Sequence, residues 1–457
     1  MKKAIAFAVA GAMSVSLLAG CGGGASSAPA ASSDAAPAAS SEAAAPESHE
    51  VNTTDPITLT ISWWGGDSRH AAYQEAVNAF MAKYPNITVN ATYGAWSGWE
   101  DTKSAALYAG TAEDVMQVNW NWLSQYSPDG SKFVNLNDYA DVIDLSNWSD
   151  SMLEACTVAG ELQAIPVAMT GRIFYWNMNT FKQAGLDSYP TTLDELLNAG
   201  KTFQEKLGDD YYPLVLGEYD RMILMTFFLE STYGKPWVEN NELQYTAEEV
   251  VKGIEFIKSL EDNHVIPTLE VMNGKGIDAN NSIDKSEQWI KGYYAGIFEW
   301  DSSATKYNGA LEDNSGFTVG DEIKFGDKAN GGFAKVALGM AITETCKNPV
   351  EAAALINFLL NEEEGATLMG TECGMVSSTA GRAAAEKAEK VKPLVKEANE
   401  KVMAFVDFQL DPTYESSDLK ANPNGVYAEV FAGYSYGDYS IEDAADMLVE
   451  GVQGVLG

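Results

Sequence analysis

Indole and amide side chains occur together after predicted strands, where they could form a binding surface. The segment Asn119–Trp122 reads Asn-Trp-Asn-Trp and directly follows a short apolar run. Trp96 and Trp99 lie in a glycine-rich stretch between another predicted strand and a helix. Flat aromatic rings can stack on the apolar faces of a sugar, and amide groups can bond to its hydroxyls. These residues are therefore the first candidates for a site.

Each of these residues also has a structural interpretation. We predict a site role for Asn119, Trp120 and Asn121; the alternative is that the indoles of this segment, Trp122 above all, pack in the core. Trp96 could provide a stacking platform or could cover the hydrophobic edge of a sheet. We include Trp96 among the candidates and leave both interpretations open.

A second group of candidates lies in the loop after the first predicted strand. Its members are Trp64, Asp67, Arg69 and His70. Asp67 could face a ligand or could cap the helix that follows. Alternation along the strand points Trp63 inward, which predicts a core position for that indole.

Three arginines raise the possibility of an acidic ligand. A guanidinium in a dry cleft can bind a carboxylate through two parallel hydrogen bonds. If two of Arg69, Arg172 and Arg221 faced one cleft, an acidic oligosaccharide such as a uronide would fit. In so acidic a chain, each of them could instead be the partner of a structural ion pair.

The chain offers little for catalysis or metal binding. It has three histidines and four cysteines, and none of them has metal-ligand spacing. Cys346 and Cys373 are the pair to examine for a disulfide, with buried free thiols as the simpler alternative. A glycoside hydrolase needs two carboxyl groups that face one bond, and the 65 acidic residues single out no such pair. We predict no catalytic residue, metal or cofactor.

Hydrophobic periodicity indicates the elements that position the first candidates. Ile57–Trp63 alternates with the period of a strand, Gly65-Gly66 interrupts it, and a helical pattern follows. Ile87–Ala91 alternates again, which predicts a β-α-β unit with parallel strands and a right-handed crossover. A second helix is predicted across Gly98–Ala109 and a short buried strand across Asp114–Val118.

Later segments carry signals for the starts of helices. Thr192 with Glu195 forms a capping box, Asn348-Pro349 supplies a cap and a first-turn proline, and Ser440 opens the last helix. Pro213–Gly217 is predicted to form a strand followed by a turn. Strands that alternate with helices over this length predict an α/β fold.

The first 21 residues predict where the chain works. Lys2 and Lys3 precede an apolar stretch that is too short to cross a bilayer, which is typical of a secretory signal peptide. Leu18-Ala-Gly-Cys21 resembles the lipobox of bacterial lipoproteins, which are cleaved before the cysteine and carry lipid on its sulfur. The resemblance implies lipidation of Cys21; the alternative is an ordinary signal peptide with a chance cysteine.

Composition separates a tether from a folded body. Residues 22–55 begin with a long run of Gly, Ser, Ala and Pro, so we expect a disordered spacer. About 400 residues remain, which suggests two domains or lobes. The net charge of -36 argues against binding to nucleic acid or anionic lipid through a general positive field.

The body resembles the extracellular solute-binding proteins of carbohydrate ABC transporters, a group that includes maltose-binding proteins. Four stretches carry the resemblance: residues 60–89, 110–118, 165–186 and 347–376. The second is similar to the family's GTAPDV motif, with Glu113 where proline is usual. The third is similar to its YNKDLFEKAGL region, with Met178 where lysine is usual.

The resemblance implies an α/β fold of the periplasmic-binding-protein type. Two lobes, each a sheet flanked by helices, would enclose a ligand cleft between them and close by a hinge. The N-terminal lobe would comprise residues 56–167 and 334–376. The C-terminal lobe would comprise residues 168–333 and 377–457.

The resemblance also implies ligand contacts at the crossovers and in the second lobe. The implied residues are Thr170, Arg172, Glu218, Tyr219, Trp300, Asp301 and Gly332. Trp300 matches a family tryptophan that stacks on sugar, and the alternative for it is a core indole. Gly332 would offer a backbone contact.

The implied function is capture of a sugar or oligosaccharide and its delivery to the membrane subunits of an ABC permease. The protein would be a monomer without enzymatic activity. It would be anchored at the outer face of the cytoplasmic membrane of a Gram-positive-type bacterium. A secreted glycoside-active enzyme and a polysaccharide-binding surface adhesin remain as alternatives. The sequence leaves open the identity, length, linkage and charge of the sugar.

Overall fold

One mixed sheet of eight strands runs through the folded body. The computed structural model describes residues 49–96, 98–277 and 283–457, so the predicted signal peptide, Cys21 and most of the predicted tether lie outside the described residues. No helix within these ranges is long and apolar enough to cross a membrane. The strands, β1 to β12 in chain order, are Ile57–Trp64, Ile87–Gly94, Val115–Val118, Thr157–Val158, Glu161–Leu162, Ile165–Asn177, Val238–Glu239, Glu242–Leu243, Gly296–Trp300, Phe317–Val319, Phe333–Ile342 and Phe408–Gln409.

Helices make up most of the remaining regular structure. In chain order, α1 to α18 are Asp67–Lys83, Trp99–Ala109, Asn121–Tyr126, Asp150–Glu154, Met178–Gln183, Leu193–Leu207, Glu218–Tyr233, Ala247–Asp262, Leu269–Gly274, Glu287–Ile290, Ala304–Ala310, Pro349–Leu360, Glu363–Met369, Thr379–Lys387, Pro393–Phe405, Ser417–Lys420, Val426–Tyr436 and Ile441–Leu456. The α/β fold that the sequence predicts is confirmed.

The predicted β-α-β unit is present at the start of the body. Strands β1 and β2 pair in parallel from Ile57 opposite Ile87 to Trp64 opposite Gly94, with α1 between them in sequence. β3 joins the other edge of β1, also in parallel. Trp63 is fully buried and stacks on Tyr73 of α1, as alternation along the strand predicts.

Strand β6 connects the two groups of strands in the sheet. It pairs antiparallel with β11 from Ile165 to Gly171, and with β9 from Arg172 to Trp176. β11 in turn pairs with β3, which leads to β1 and β2. β6 and β11 therefore run from one group of strands to the other, as expected of crossover segments. The lobe boundaries that the sequence suggests remain a prediction.

The three helices α6, α12 and α18 begin at the predicted signals, and two of the three predicted caps form a side-chain hydrogen bond. The hydroxyl of Thr192 accepts a hydrogen bond from the Glu195 amide at 3.2 Å, and that of Ser440 accepts one at 3.1 Å at the start of α18. Pro349 occupies the first turn of α12, but the side chain of Asn348 forms no capping bond. The strand predicted for Pro213–Gly217 is not formed. This segment pairs with β9 through a single isolated bridge, from Val215 to Ile297.

The three cysteines of the described residues carry free thiols. Cys156 and Cys373 are buried, and Cys346 is partly buried. The disulfide between Cys346 and Cys373 is therefore not formed, and the simpler interpretation of free thiols is confirmed.

Arg221 is a structural residue at the start of α7. Its side chain is fully buried, and its guanidinium forms an ion pair with Glu261. It also donates to the carbonyl oxygens of Leu216 at 3.2 Å and Pro267 at 2.7 Å. Burial lowers the pKa of Arg221, but the nearby Tyr434 and Glu261 more than offset this and raise it. Arg221 thus connects the turn before α7, the C-terminal end of α8 and the segment at Pro267.

We expect Arg221→Met to lower the free energy of unfolding by about 3 to 5 kcal/mol, because the buried Glu261 loses its partner. Urea denaturation followed by circular dichroism measures this change. The matched control is Lys258→Met, since Lys258 pairs with Asp262 on the exposed face of α8. Equal stability of the two variants would contradict the structural role of Arg221.

Candidate functional site

A cavity of about 300 Å³ lies where the sheet strands β6, β9 and β11 meet the loops after β1, β2 and β3. Half of its lining residues belong to the predicted set: Trp64, Arg69, Trp96, Asn119, Thr170 and Trp300. The other half are Ser302, Lys335, Ala337, Leu338, Cys373 and Lys420. The structure thus brings together candidates that are far apart in the chain.

Strand register builds the floor of the cavity. Thr170 of β6 lies opposite Lys335 of β11, and Arg172 of β6 lies opposite Trp300 of β9. Directly opposed residues share a face of a sheet, and residues two apart on one strand share it too. These four side chains therefore lie on the same face.

The indole of Trp300 is in contact with two cationic side chains of this floor, those of Arg172 and Lys335. The guanidinium carbon of Arg172 lies 4.4 Å from the centre of its ring, and Nζ of Lys335 lies 4.7 Å from it. Cations near an indole face are attracted by the ring quadrupole. The hydroxyl of Tyr175 donates to the carbonyl oxygen of Trp300 at 3.0 Å. The indole is thus held in a fixed position and remains partly exposed.

Arg172 lies behind the lining rather than in it. Its guanidinium donates to Asp220 at 2.7 Å and to the carbonyl oxygen of Phe298 at 2.9 Å, and Glu299 lies 3.1 Å away. Burial alone would lower the pKa of Arg172, but the two carboxylates raise it above its ordinary value. Its charge is compensated within the protein, so its role is to support Trp300.

Asp301 supports the lining in a similar way. Its carboxylate is buried and accepts hydrogen bonds from Thr170 at 2.5 Å and from Asn399 at 2.6 Å. Burial raises the pKa of Asp301 to about 6, against the lowering effect of these two donors. The residue holds Thr170 in place instead of facing the cavity.

The opposite wall of the cavity is aromatic. Trp64 is buried, and its ring centre lies 5.1 Å from that of Trp96 and 5.5 Å from that of Trp122. Trp96 is 43% exposed, which is unusual for an indole packed on two others. Trp122 is fully buried and supports both rings, in agreement with its core interpretation. Trp96 thus presents an apolar surface at the mouth of the cavity.

A buried charge cluster lies beside this floor. The carboxylate of Glu415 binds Lys335 and also accepts from Lys420 at 2.8 Å and from the Tyr219 hydroxyl at 2.8 Å. Burial alone would raise the pKa of Glu415, but the two lysines hold it well below its usual range. Burial lowers the pKa of Lys335 to about 8, although Glu415 opposes this change.

Several predicted residues lie outside the lining. Tyr219 and Asn121 both donate hydrogen bonds to Glu415, Tyr219 to its carboxylate and the side-chain amide of Asn121 to its backbone carbonyl at 3.0 Å. Trp120 lines a second cavity of about 300 Å³, which also reaches Lys335. Glu218 lines a third cavity, of about 220 Å³.

The remaining three predicted residues have other surroundings. Asp67 is exposed at the first turn of α1, where Gly66 is the cap. His70 accepts a hydrogen bond from the Trp63 indole at 3.1 Å. The amide of Gly332 donates to the buried Glu230 at 2.8 Å, and its carbonyl accepts from Phe408 at 3.1 Å. Gly332 therefore has no backbone group free for a ligand.

Lys335 is the most informative residue that sequence reasoning missed. It lies in Phe333–Ile342, a strand that is otherwise apolar and buried. A single lysine in an otherwise apolar strand indicates a special site, because a buried lysine needs a partner. Lys420 carried no comparable signal, and Cys373 stood out in the sequence only as a possible disulfide partner.

The chain matches the model of the family described as bacterial extracellular solute-binding protein over residues 66–366. A periplasmic oligogalacturonide-binding protein from Yersinia enterocolitica, solved with saturated digalacturonic acid, is 33% identical with a TM-score of 0.80. A periplasmic solute-binding protein from Pectobacterium atrosepticum is 31% identical with a TM-score of 0.82. Both similarities cover 88% of this chain and 98% of the other chain.

Similarity to curated proteins is more limited in extent. The diacetylchitobiose-binding protein of Streptomyces coelicolor is 25% identical over 177 residues, which are 36% of this chain and 41% of that protein. A putative binding protein of Brucella abortus matches over 34% of its own length. The fold is that of the two-domain solute-binding proteins, and the chain belongs to the bacterial extracellular solute-binding protein family.

Proposed function

We propose that this protein is the sugar-binding component of a carbohydrate ABC importer. One observation carries the proposal: three indoles, Trp64, Trp96 and Trp300, line one cavity together with the polar side chains of Asn119 and Thr170. Indoles match the apolar faces of a sugar, and the polar groups match its hydroxyls. Relatives whose names state binding of oligogalacturonide and diacetylchitobiose support a carbohydrate ligand.

Capture would proceed by closure of two lobes about β6 and β11. These strands connect the two groups of strands in the sheet, and the cavity has lining residues from both groups. A ligand that touches both sides favours the closed state, because only that state makes all the contacts. The permease would then recognise the closed surface.

The location at the membrane is part of the same proposal. Lipid on Cys21 and a flexible tether would hold the protein at the outer face of the cytoplasmic membrane, in a Gram-positive-type cell. A tethered monomer meets its permease at a high effective concentration. This part depends on the sequence alone, since Cys21 lies outside the described residues.

An enzyme is the less favoured alternative. Glycoside hydrolysis requires two carboxyl groups near one bond, whereas no Asp or Glu lines this cavity among residues 49–96, 98–277 and 283–457. A surface adhesin would use the same aromatic lining without a permease. Transport of the ligand by cells, lost when the gene is deleted, distinguishes the importer from the adhesin.

Trp300→Ala should weaken sugar binding by roughly tenfold, because the loss of one stacking contact removes about 1.5 kcal/mol. Isothermal titration calorimetry measures this, with a ligand found by a thermal-shift screen of neutral oligosaccharides and uronides. Trp300→Phe should retain part of the affinity. Tyr108→Ala, which removes an exposed ring outside the cavity, is the control. Unchanged affinity of Trp300→Ala would refute the stacking role.

Closure should be visible in solution as compaction. At saturating ligand, small-angle X-ray scattering should give a smaller radius of gyration than without ligand, because the lobes approach each other. A radius that does not change, at a ligand concentration shown to saturate the site, would contradict hinge closure.

Cys21→Ser should release the protein from the membrane, because lipidation requires the cysteine sulfur and stable anchoring requires acyl chains. Cell fractionation and immunoblotting follow the shift from membrane pellet to medium. Cys156→Ala, which removes a buried free thiol, should leave the protein in the pellet. Retention in the membrane of a Cys21→Ser protein whose signal peptide has been removed would rule out the lipid anchor.

A further inference from the structure

The lining of the cavity has the opposite charge to the protein as a whole. Arg69, Lys335 and Lys420 all line it, and no carboxylate does so among the described residues. The chain carries a net charge of -36. The chain has more than twice as many acidic as basic residues, so basic side chains are concentrated in this cavity relative to the chain as a whole.

The carboxylates nearest the lining are already bound by the protein. Glu415 is shared by the two lysines, which keep one net positive charge after it is counted. Glu372 interacts electrostatically with Arg69, but its carboxylate forms an ion pair with Lys392 at 2.8 Å and accepts a hydrogen bond from Ser68 at 2.7 Å. Asp301 is bound by Thr170 and Asn399 behind the wall. These groups balance part of the charge but present no acidic oxygen to the cavity.

Arg69 differs from the other two arginines that the sequence singles out. Arg172 and Arg221 each pair with carboxylates in the protein. The guanidinium of Arg69 donates only to two backbone carbonyls, that of Glu372 at 3.0 Å and that of Trp64 at 3.1 Å. Among the described residues it has no ion-pair partner, and a guanidinium carries five N–H donors. Donors and charge therefore remain for a ligand.

We infer that the ligand of this cavity is an acidic sugar, and that Arg69 binds its carboxylate while Lys335 and Lys420 add a second anionic subsite. This inference depends on the proposed function, because it specifies the class of sugar that the same site takes. A carboxylate fits the fork of a guanidinium. A neutral sugar would leave the charge of Arg69, and the one net positive charge that Lys335 and Lys420 keep after pairing with Glu415, without an anion in the cavity, which is unfavourable.

The test compares two disaccharides that differ only in their carboxylates. Digalacturonic acid and the neutral digalactose of the same linkage are titrated into the full chain by calorimetry at one salt concentration. We expect the acid to bind at least tenfold more tightly, as charge-assisted hydrogen bonds contribute more than neutral ones. Tighter binding of neutral sugars than of acidic ones overturns the inference and leaves the proposed function intact. If no sugar of either kind binds, both fail.

Substitutions identify the residue that binds the carboxylate of the ligand. Arg69→Gln should weaken binding of the acid roughly tenfold or more, whereas Arg69→Lys should retain part of the affinity. Arg382→Gln is the matched control, because Arg382 binds the carbonyl of Val376 outside the cavity. Lys420→Gln, on a short surface helix, provides a second test if Arg69→Gln unfolds. Equal affinity of Arg69→Gln, Lys420→Gln and Arg382→Gln for the acid would refute the assignment.

Discussion

The change of partner along β6 determines both the shape and the chemistry of this protein. Up to Gly171 the strand pairs with β11, and from Arg172 onward it pairs with β9. A Cβ atom at Gly171 would lie 3.0 Å from the carbonyl oxygen of Phe333, so the close approach of β11 at this point favours glycine. The same change of partner brings Lys335 and Trp300 onto one face, next to Thr170. Connection of the two groups of strands and assembly of the site thus depend on one short segment.

Buried charge is the second constraint on the site. Lys335 and Arg172 both contact Trp300, yet each would be costly in the interior without a partner. Glu415 compensates Lys335, and Asp220 with Glu299 compensates Arg172. Trp300 therefore contacts two cations whose charges carboxylates of the protein already balance. Arg69 is the exception, since its guanidinium is held by carbonyl oxygens rather than by carboxylates.

Local patterns predicted the elements, and tertiary contacts decided the site. The β-α-β unit, the inward Trp63 and the caps at Thr192 and Ser440 follow from periodicity and side-chain chemistry within a few residues. Residue patterns and the family resemblance together brought half of the cavity lining into the predicted set. Neither could separate the residues that face the cavity from those one layer behind, such as Asp301, because that distinction depends on partners that lie 98 and 131 residues away in the chain. Lys335 was missed because its partner, Glu415, lies 80 residues further along the chain.

That separation in sequence also sets the order in which the parts of the site become available to the folding chain. Asn121 and Lys335 belong to the first and the later parts of the body, yet both bind Glu415, which lies 294 residues after Asn121. A chain that emerges N-terminus first presents the residues of the aromatic wall long before it presents this carboxylate. Until Glu415 arrives, Lys335 has no counter-charge and the floor of the cavity cannot close around it. The protein therefore gains its complete binding surface only when the chain is almost complete. A chain that lacks its last part would be unable to bind the ligand.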